Sequence, residues 1–280
     1  MAIGHSFTRF FTRTAAALAV SFGALFYPGF GNAHALWINM TDYHPAFDTE
    51  KALAKTKLYM GWGHHFPVDG YVSEKDFDRI WLTSPDGAEK DVKLETTGFA
   101  ASELKLTEEG LYLLGVTRHA SYNTKYLDEA GETQSVKKDM TGLSNVVSST
   151  YSQQFAKTLF CVGDERTGAF DRPLGHTLEI VPLVNPYTLA NNTGGDLPVR
   201  VLFAGEPAPH VKLYAKYEGF SQTDESACVA MTDKNGVAHL RITHWGPWIV
   251  KTGMTMDPRG DLEGRVMTES YYASLTFLVP

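Results

Sequence analysis

Punctuation constrains this chain more than any other sequence feature. Short apolar or alternating runs recur along it, and a glycine, proline or asparagine turn closes each one too early for a helix of ordinary length. Lys55-Thr-Lys-Leu-Tyr-Met60 alternates as a half-buried strand does. Asp78-Arg-Ile-Trp-Leu-Thr83 leads into Ser84-Pro-Asp-Gly87, with proline and glycine where a β-turn wants them. Gly110-Leu-Tyr-Leu-Leu-Gly-Val-Thr117 is continuously apolar and reads as a strand buried on both faces. The same grammar resumes later in Leu178-Glu-Ile-Val-Pro-Leu183, Leu197-Pro-Val-Arg-Val-Leu-Phe203 and His210-Val-Lys-Leu-Tyr-Ala-Lys-Tyr217. Asn235-Gly236 marks a hairpin-type turn, and Gly246-Pro-Trp-Ile-Val-Lys251 and Tyr271–Val279 close the set.

The expected fold is therefore all-β, built of two β-sandwich domains over residues 34–160 and 161–280. The second reads as immunoglobulin-like or transthyretin-like. Residues 119–142, with Asp128-Glu-Ala-Gly-Glu132 and Lys137-Lys-Asp139, read as a long exposed loop. Residues 143–158 lack proline and glycine and predict the one short helix between the domains, with Ser144 as its N-cap.

Residues 1–33 read as an address. They hold Arg9, Arg13 and no acid, then an apolar run from Ala15 to Tyr27, which is short of the roughly 20 residues that span a bilayer. A cleavable signal peptide predicts export to the periplasm, with no stable membrane insertion once it is removed. Gly31-Asn-Ala33 and Ala33-His-Ala35 are both acceptable cleavage sites; the first leaves His34 at the N-terminus and the second leaves Leu36. Removing residues 1–33 leaves 23 basic and 32 acidic residues, a net charge of −9. Such a chain suits cationic ligands, and a nucleic-acid partner is not expected. Cys161 and Cys228 are the only cysteines, and an oxidising compartment leaves a single disulfide or two thiols open.

Catalytic motifs are missing: there is no G-x-S-x-G elbow, no phosphate-cradling glycine loop and no H-E-x-x-H. Asn191-Asn-Thr193 matches a glycosylation sequon but reads as a polar turn. Histidine carries the information. Cleaved before His34, the exported chain holds His34, His44, His64, His65, His119, His176, His210, His239 and His244. Imidazole nitrogen suits nickel, cobalt, copper and zinc. Gly61-Trp-Gly-His-His-Phe-Pro67 sets two imidazoles beside glycines that allow a sharp turn. A terminal His34 would offer amine and imidazole together. Structural or idle roles are expected for His44, His176, His210 and His239.

His34-Ala-Leu-Trp-Ile-Asn39, Gly63-His-His-Phe66, Phe155–Gly163, Gly175-His-Thr-Leu-Glu-Ile-Val-Pro-Leu-Val-Asn-Pro186, Gly205–Val211, Thr232–Gly236 and Gly246–Val250 occur in this order. Together they resemble a family of exported proteins, the nickel-uptake substrate-specific, cobalt/nickel transport-associated domain, from residue 34 to about 278. Its members begin with His-x-x-Trp after the signal. The resemblance implies a β-rich periplasmic protein that binds divalent nickel or cobalt beside a membrane metal importer, without enzymatic activity. It implies cleavage before His34 and ligand roles for His34 and His64 only; the expected site adds His65 or His119 as a further ligand. Two other readings stay open: a histidine-brace copper protein or copper oxidase, and a metal-free adhesion or carbohydrate-binding sandwich.

Overall fold

The computed structural model describes residues 34–95, 100–189 and 195–280; the expected signal at 1–33 and the Asn191 sequon lie outside the described residues. In chain order the strands are β1 (Ala35–Met40), β2 (Ala54–Gly63), β3 (Phe77–Thr83), β4 (Glu89–Asp91), β5 (Ala101–Leu106), β6 (Gly110–Arg118), β7 (Ser121–Leu127), β8 (Thr133–Val136), β9 (Val146–Val162), β10 (Leu178–Pro182), β11 (Gly195–Phe203), β12 (Glu206–Pro207), β13 (Lys212–Tyr217), β14 (Cys228–Met231), β15 (Val237–Ile242), β16 (Gly246–Met256) and β17 (Thr268–Val279). The protein is all-β, and the helices among the described residues are single 3-10 turns. None of them is long and apolar enough to cross a membrane.

Three sheets form three layers. A ten-stranded central sheet runs β14-β13-β16-β17-β9-β6-β3-β4, with β7 on the first half of β9 and β8 beyond it. A three-stranded sheet, β1-β2-β5, covers one face, and a four-stranded sheet of β10, β11, β12 and β15 covers the other. Side-chain alternation explains how one sheet serves two cores. In β6, Tyr112, Leu114 and Val116 pack toward the three-stranded sheet, whereas Leu111 and Leu113 pack toward the four-stranded one. In β9, Phe160 faces the first core and Cys161 the second. The position between residues 160 and 161 thus lies inside one strand shared by two sandwiches. Each buried leucine or phenylalanine there contributes on the order of 1.5–3 kcal/mol.

The helix expected over 143–158 is instead strand from Val146 onward, the larger part of β9. Val146, Val147, Thr150, Tyr151 and Phe155 are strand formers, and neighbours on both edges satisfy the backbone. The loop expected over 119–142 contains the paired strands β7 and β8. Asn235-Gly236 does turn the chain, with Gly236 at φ 73°, yet it links β14 in the central sheet to β15 in the outer one, so no hairpin forms. Both cysteines are free. Three strands separate β14, which begins at Cys228, from β9, which holds Cys161. Four strand spacings place them roughly 19 Å apart, beyond the roughly 7 Å a disulfide allows between Cα atoms.

Candidate metal centre

The pairing of β1 with β2 sets the geometry. Ala35 is opposite Gly63, so positions 34 and 64 face each other where the two strands open. Edge strand β1 is fixed from the central sheet: Ser274 Oγ donates to Leu36 O (2.7 Å), Thr276 Oγ1 to Ile38 O (2.6 Å) and Gln154 Nε2 to His34 O (2.9 Å). His34 is therefore held by its carbonyl on β9, although its side chain reaches solvent.

Glycine shapes the turn that follows β2. Trp37 lies across Gly61, where a Cβ would meet the indole Nε1 at 2.0 Å. The same Nε1 donates to Pro67 O (2.8 Å), as does Asn39 Nδ2 (2.8 Å), which ties the turn back onto β1. Ala35, Trp37, Phe66 and Ile249 form a small apolar cluster that also joins this end of the molecule to β16. Gly63 has φ 134°, and the Asp69 carboxylate occupies the space a Cβ would need. Asp69 Oδ2 accepts from His64 N (2.6 Å) and His65 N (3.1 Å). The His64 N–H bond, ahead of opposing burial and the bond from His65, holds its carboxyl below the usual range.

On this frame the His34 and His64 rings meet edge to face, with centroids 4.7 Å apart. His34 also meets Trp62 edge to face at 5.5 Å, and Arg118 lies over the Trp62 ring at 4.1 Å. His64 Nδ1 faces Asp224 Oδ2 at 3.3 Å. Asp224 comes from the segment between β13 and β14, so both sandwiches contribute to the site. Lys216, buried on β13, donates to Thr223 O (3.0 Å) beside it. Burial pushes the Lys216 ammonium down, against the pull of Asp224 and Asp69.

Of the four histidines named from sequence, the structure brings His34 and His64 together. The His65 ring is 6.4 Å from that of His64 and turns its Nδ1 to Asp69 at 3.4 Å. His119 stands elsewhere, its Nδ1 3.9 Å from Asp78 Oδ1 at the end of β6. Among the described residues, no three His, Cys, Asp or Glu side chains converge as a metal cage. Two imidazoles are what the side chains offer, and any further donor has to come from the backbone or from solvent. Sequence reasoning missed Trp62, Asp69, Gln154 and Asp224. Asp69-Gly70 carries a turn signal that could have marked the first carboxylate, whereas Asp224 in Ser221-Gln-Thr-Asp-Glu225 has no local signature. The other histidines are committed or apart: His44 Nε2 lies 2.7 Å from Gly163 O, His239 pairs with Asp196 at 2.8 Å, and His176 is buried between Phe155 and Trp81.

A family model described as Domain of unknown function (DUF4198) matches residues 31–256. No curated protein matches the chain. Among solved structures, the D0-D1 domain of Intimin is 12% identical, with 87% of this chain and 97% of that one covered at a TM-score of 0.23. The D00-D0 domain of Intimin is 10% identical, with 87% and 99% covered at 0.18. The all-β assignment rests on the strands and layers described above.

Proposed function

The chain belongs to the family described as Domain of unknown function (DUF4198), and we propose that this member is a periplasmic binding protein for a divalent transition metal. Nickel or cobalt is its cargo, and it serves as a non-enzymatic accessory to a membrane metal importer. This is the function implied by the resemblance to nickel-uptake proteins.

One observation carries the reading: two imidazoles meet at 4.7 Å at the open end of β1 and β2. Two nitrogens alone make a weak site. Cleavage after Ala33 would release the His34 α-amine and give this end a third nitrogen. Gln154 supports that fit. Its Nε2 already holds His34 O, while its buried Oε1 has no partner and is an acceptor available to an amine N–H. Neutral nitrogen donors of this kind suit nickel, cobalt and copper. The net charge of −9 gathers cations without choosing among them.

The same ring pair with a terminal amine also favours a second reading, a histidine-brace copper protein or copper oxidase. Copper(II) outranks nickel and cobalt at almost any nitrogen site.

The test starts with intact mass spectrometry of exported protein, where a mature N-terminus at His34 is expected. Calorimetric titration with Ni²⁺, Co²⁺, Cu²⁺ and Zn²⁺ follows on mature wild type, His34→Ala and His64→Ala. The proposal expects one ion per chain and at least about a tenfold loss in each variant. A Leu36 start, or equal affinity in all three proteins, would overturn it. Tight copper binding coupled to oxygen consumption would select the second reading. No binding at micromolar metal would leave a metal-free adhesion or carbohydrate-binding sandwich.

A further inference from the structure

We infer that Asp224 is a positioning residue for His64, reaching across from the second sandwich to fix which ring nitrogen is offered to a metal. The inference rests on the metal-binding reading above and names a residue outside the two imidazoles on which it was built.

An imidazole ligates through the nitrogen that lacks a proton, so a partner on the other nitrogen selects the tautomer. The Asp224 carboxylate faces His64 Nδ1 at 3.3 Å. A carboxylate there stabilises the Nδ1–H form and leaves the lone pair on Nε2. Without such a partner a histidine side chain prefers to carry its proton on Nε2, which would offer the opposite nitrogen. Carboxylate-backed histidines of this kind recur around metal ions and make the ligand more basic.

The loop holding Asp224 is tied down before any ion arrives. Lys216 Nζ, buried beneath it, donates to Thr223 O, the carbonyl just before Asp224. Ser221 Oγ lies 2.8 Å from Thr223 Oγ1, accepts from Thr223 N (3.1 Å) and donates to Glu225 Oε2 (2.9 Å). His65 has its own carboxylate, Asp69, which also accepts the backbone N–H groups of both histidines and so belongs to the turn. Asp224 has no such duty. Its side chain is 45% exposed, faces the His64 ring and lends its charge to the buried Lys216 and Lys251, but takes no part in the Asp69 turn. It can therefore be removed without dismantling the turn.

The experiment uses mature, metal-free, ¹⁵N-labelled protein at pH 8, where ordinary imidazole is neutral. Long-range ¹H–¹⁵N spectra report the His64 tautomer in wild type, Asp224→Ala and Asp224→Asn. The wild type should show Nδ1–H, Asp224→Ala should shift toward Nε2–H, and Asp224→Asn should be rescued in part because its amide oxygen is also an acceptor. Nickel titration should then show about 10–100-fold weaker binding for Asp224→Ala and a smaller loss for Asp224→Asn. Asp224→Ala and Asp224→Asn should melt together, since both remove the same charge from beside Lys216 and Lys251, whereas the alanine should move the tautomer further than the asparagine. An Nε2–H tautomer in the wild type, or an unchanged tautomer in Asp224→Ala, would overturn the inference. Failure of the wild type to bind nickel would overturn the metal reading separately, because the tautomer is measured without metal.

Discussion

Two polar clusters in this molecule use the same kinds of side chain to opposite ends. Around Lys157 and Glu179, both 1% exposed, every strong group is committed. Lys157 Nζ donates to Glu179 Oε1 (2.6 Å) and to Arg172 O (3.0 Å), and the carboxylate also accepts from Leu174 N (2.7 Å) and Gly175 N (3.0 Å). The cluster pins the chain between β9 and β10 onto both strands. At the open end of β1 and β2, His34 and His64 meet beside solvent, and carboxylates face Nδ1 of His64 and of His65. Residue type does not separate the lock from the proposed ligand site. What separates them is burial: the charged pair is spent on the fold away from water, whereas the two imidazoles meet at its solvent edge.

The sharpest way to break this contrast is to remove one half of the lock. Glu179→Leu leaves the Lys157 ammonium buried without its countercharge and should cost about 3–5 kcal/mol, read as a lowered midpoint in denaturant unfolding. Lys157→Met combined with Glu179→Leu should regain part of that loss, because no charge is then stranded. The same variants should leave metal affinity at His34 and His64 unchanged. An unaltered midpoint in Glu179→Leu would show that the buried cluster is no lock.

The next effect follows from His176, which stacks on Phe155 with its Nε2 unpartnered. Burial, opposed by Glu179 and reinforced by Lys157, pushes its pKa down from 6.5 to about 4. The unfolded chain therefore takes up this proton from about pH 6.5 downward, whereas the folded chain resists it until about pH 4. The stabilisation is fully present above pH 6.5 and is lost as the pH falls toward 4, by about 3 kcal/mol over that window. Unfolding curves for wild type and His176→Phe should diverge over that range, with the variant losing less. Parallel curves would mean that this ring takes no part in the acid response.

Strands were legible wherever alternation or a turn residue marked them, which covers most of both sandwiches. The exceptions are β7 and β8, whose polar residues read as a loop, and β9, whose Ser144–Gln154 stretch has neither glycine nor proline and looks helical by default. In β9 the tertiary pairing decides. Its strand character comes from β7, β6 and β17 pairing along its edges, and those are tertiary facts. At the site, histidines beside glycines stood out as a type and a spacing. The carboxylates did not, because Asp224 reaches His64 only through the packing of one sandwich on the other.

A smaller effect tests the turn that carries the open cluster. In Gly63→Ala the new Cβ would lie 2.1 Å from Asp69 Oδ2 on a backbone with φ 134°. The cost should be about 1–3 kcal/mol, and the displaced Asp69 should release the His64 and His65 amides. Hydrogen exchange at those two amides should rise while the buried cluster stays protected. Unchanged exchange would show that Asp69 does not govern the turn.

The smallest effect concerns His119, which sequence reasoning grouped with His34 and His64. Its ring is 57% exposed and 3.9 Å from Asp78, a surface pair whose contribution is usually near zero once solvent screens it. The backbone fixes it there, because His119 N donates to Asp76 O (2.9 Å), which ties the end of β6 to the start of β3. Arg118, one residue earlier, is the side chain that turns toward the histidine pair, by stacking on Trp62. His119→Ala should change stability by no more than about 0.5 kcal/mol and leave metal affinity at the wild-type value, in contrast to His64→Ala. The same calorimetric titration checks both variants side by side. A matching loss in His119→Ala would mean that the end of β6 swings toward the ion when it binds, and that the open cluster is assembled by its cargo instead of being built beforehand.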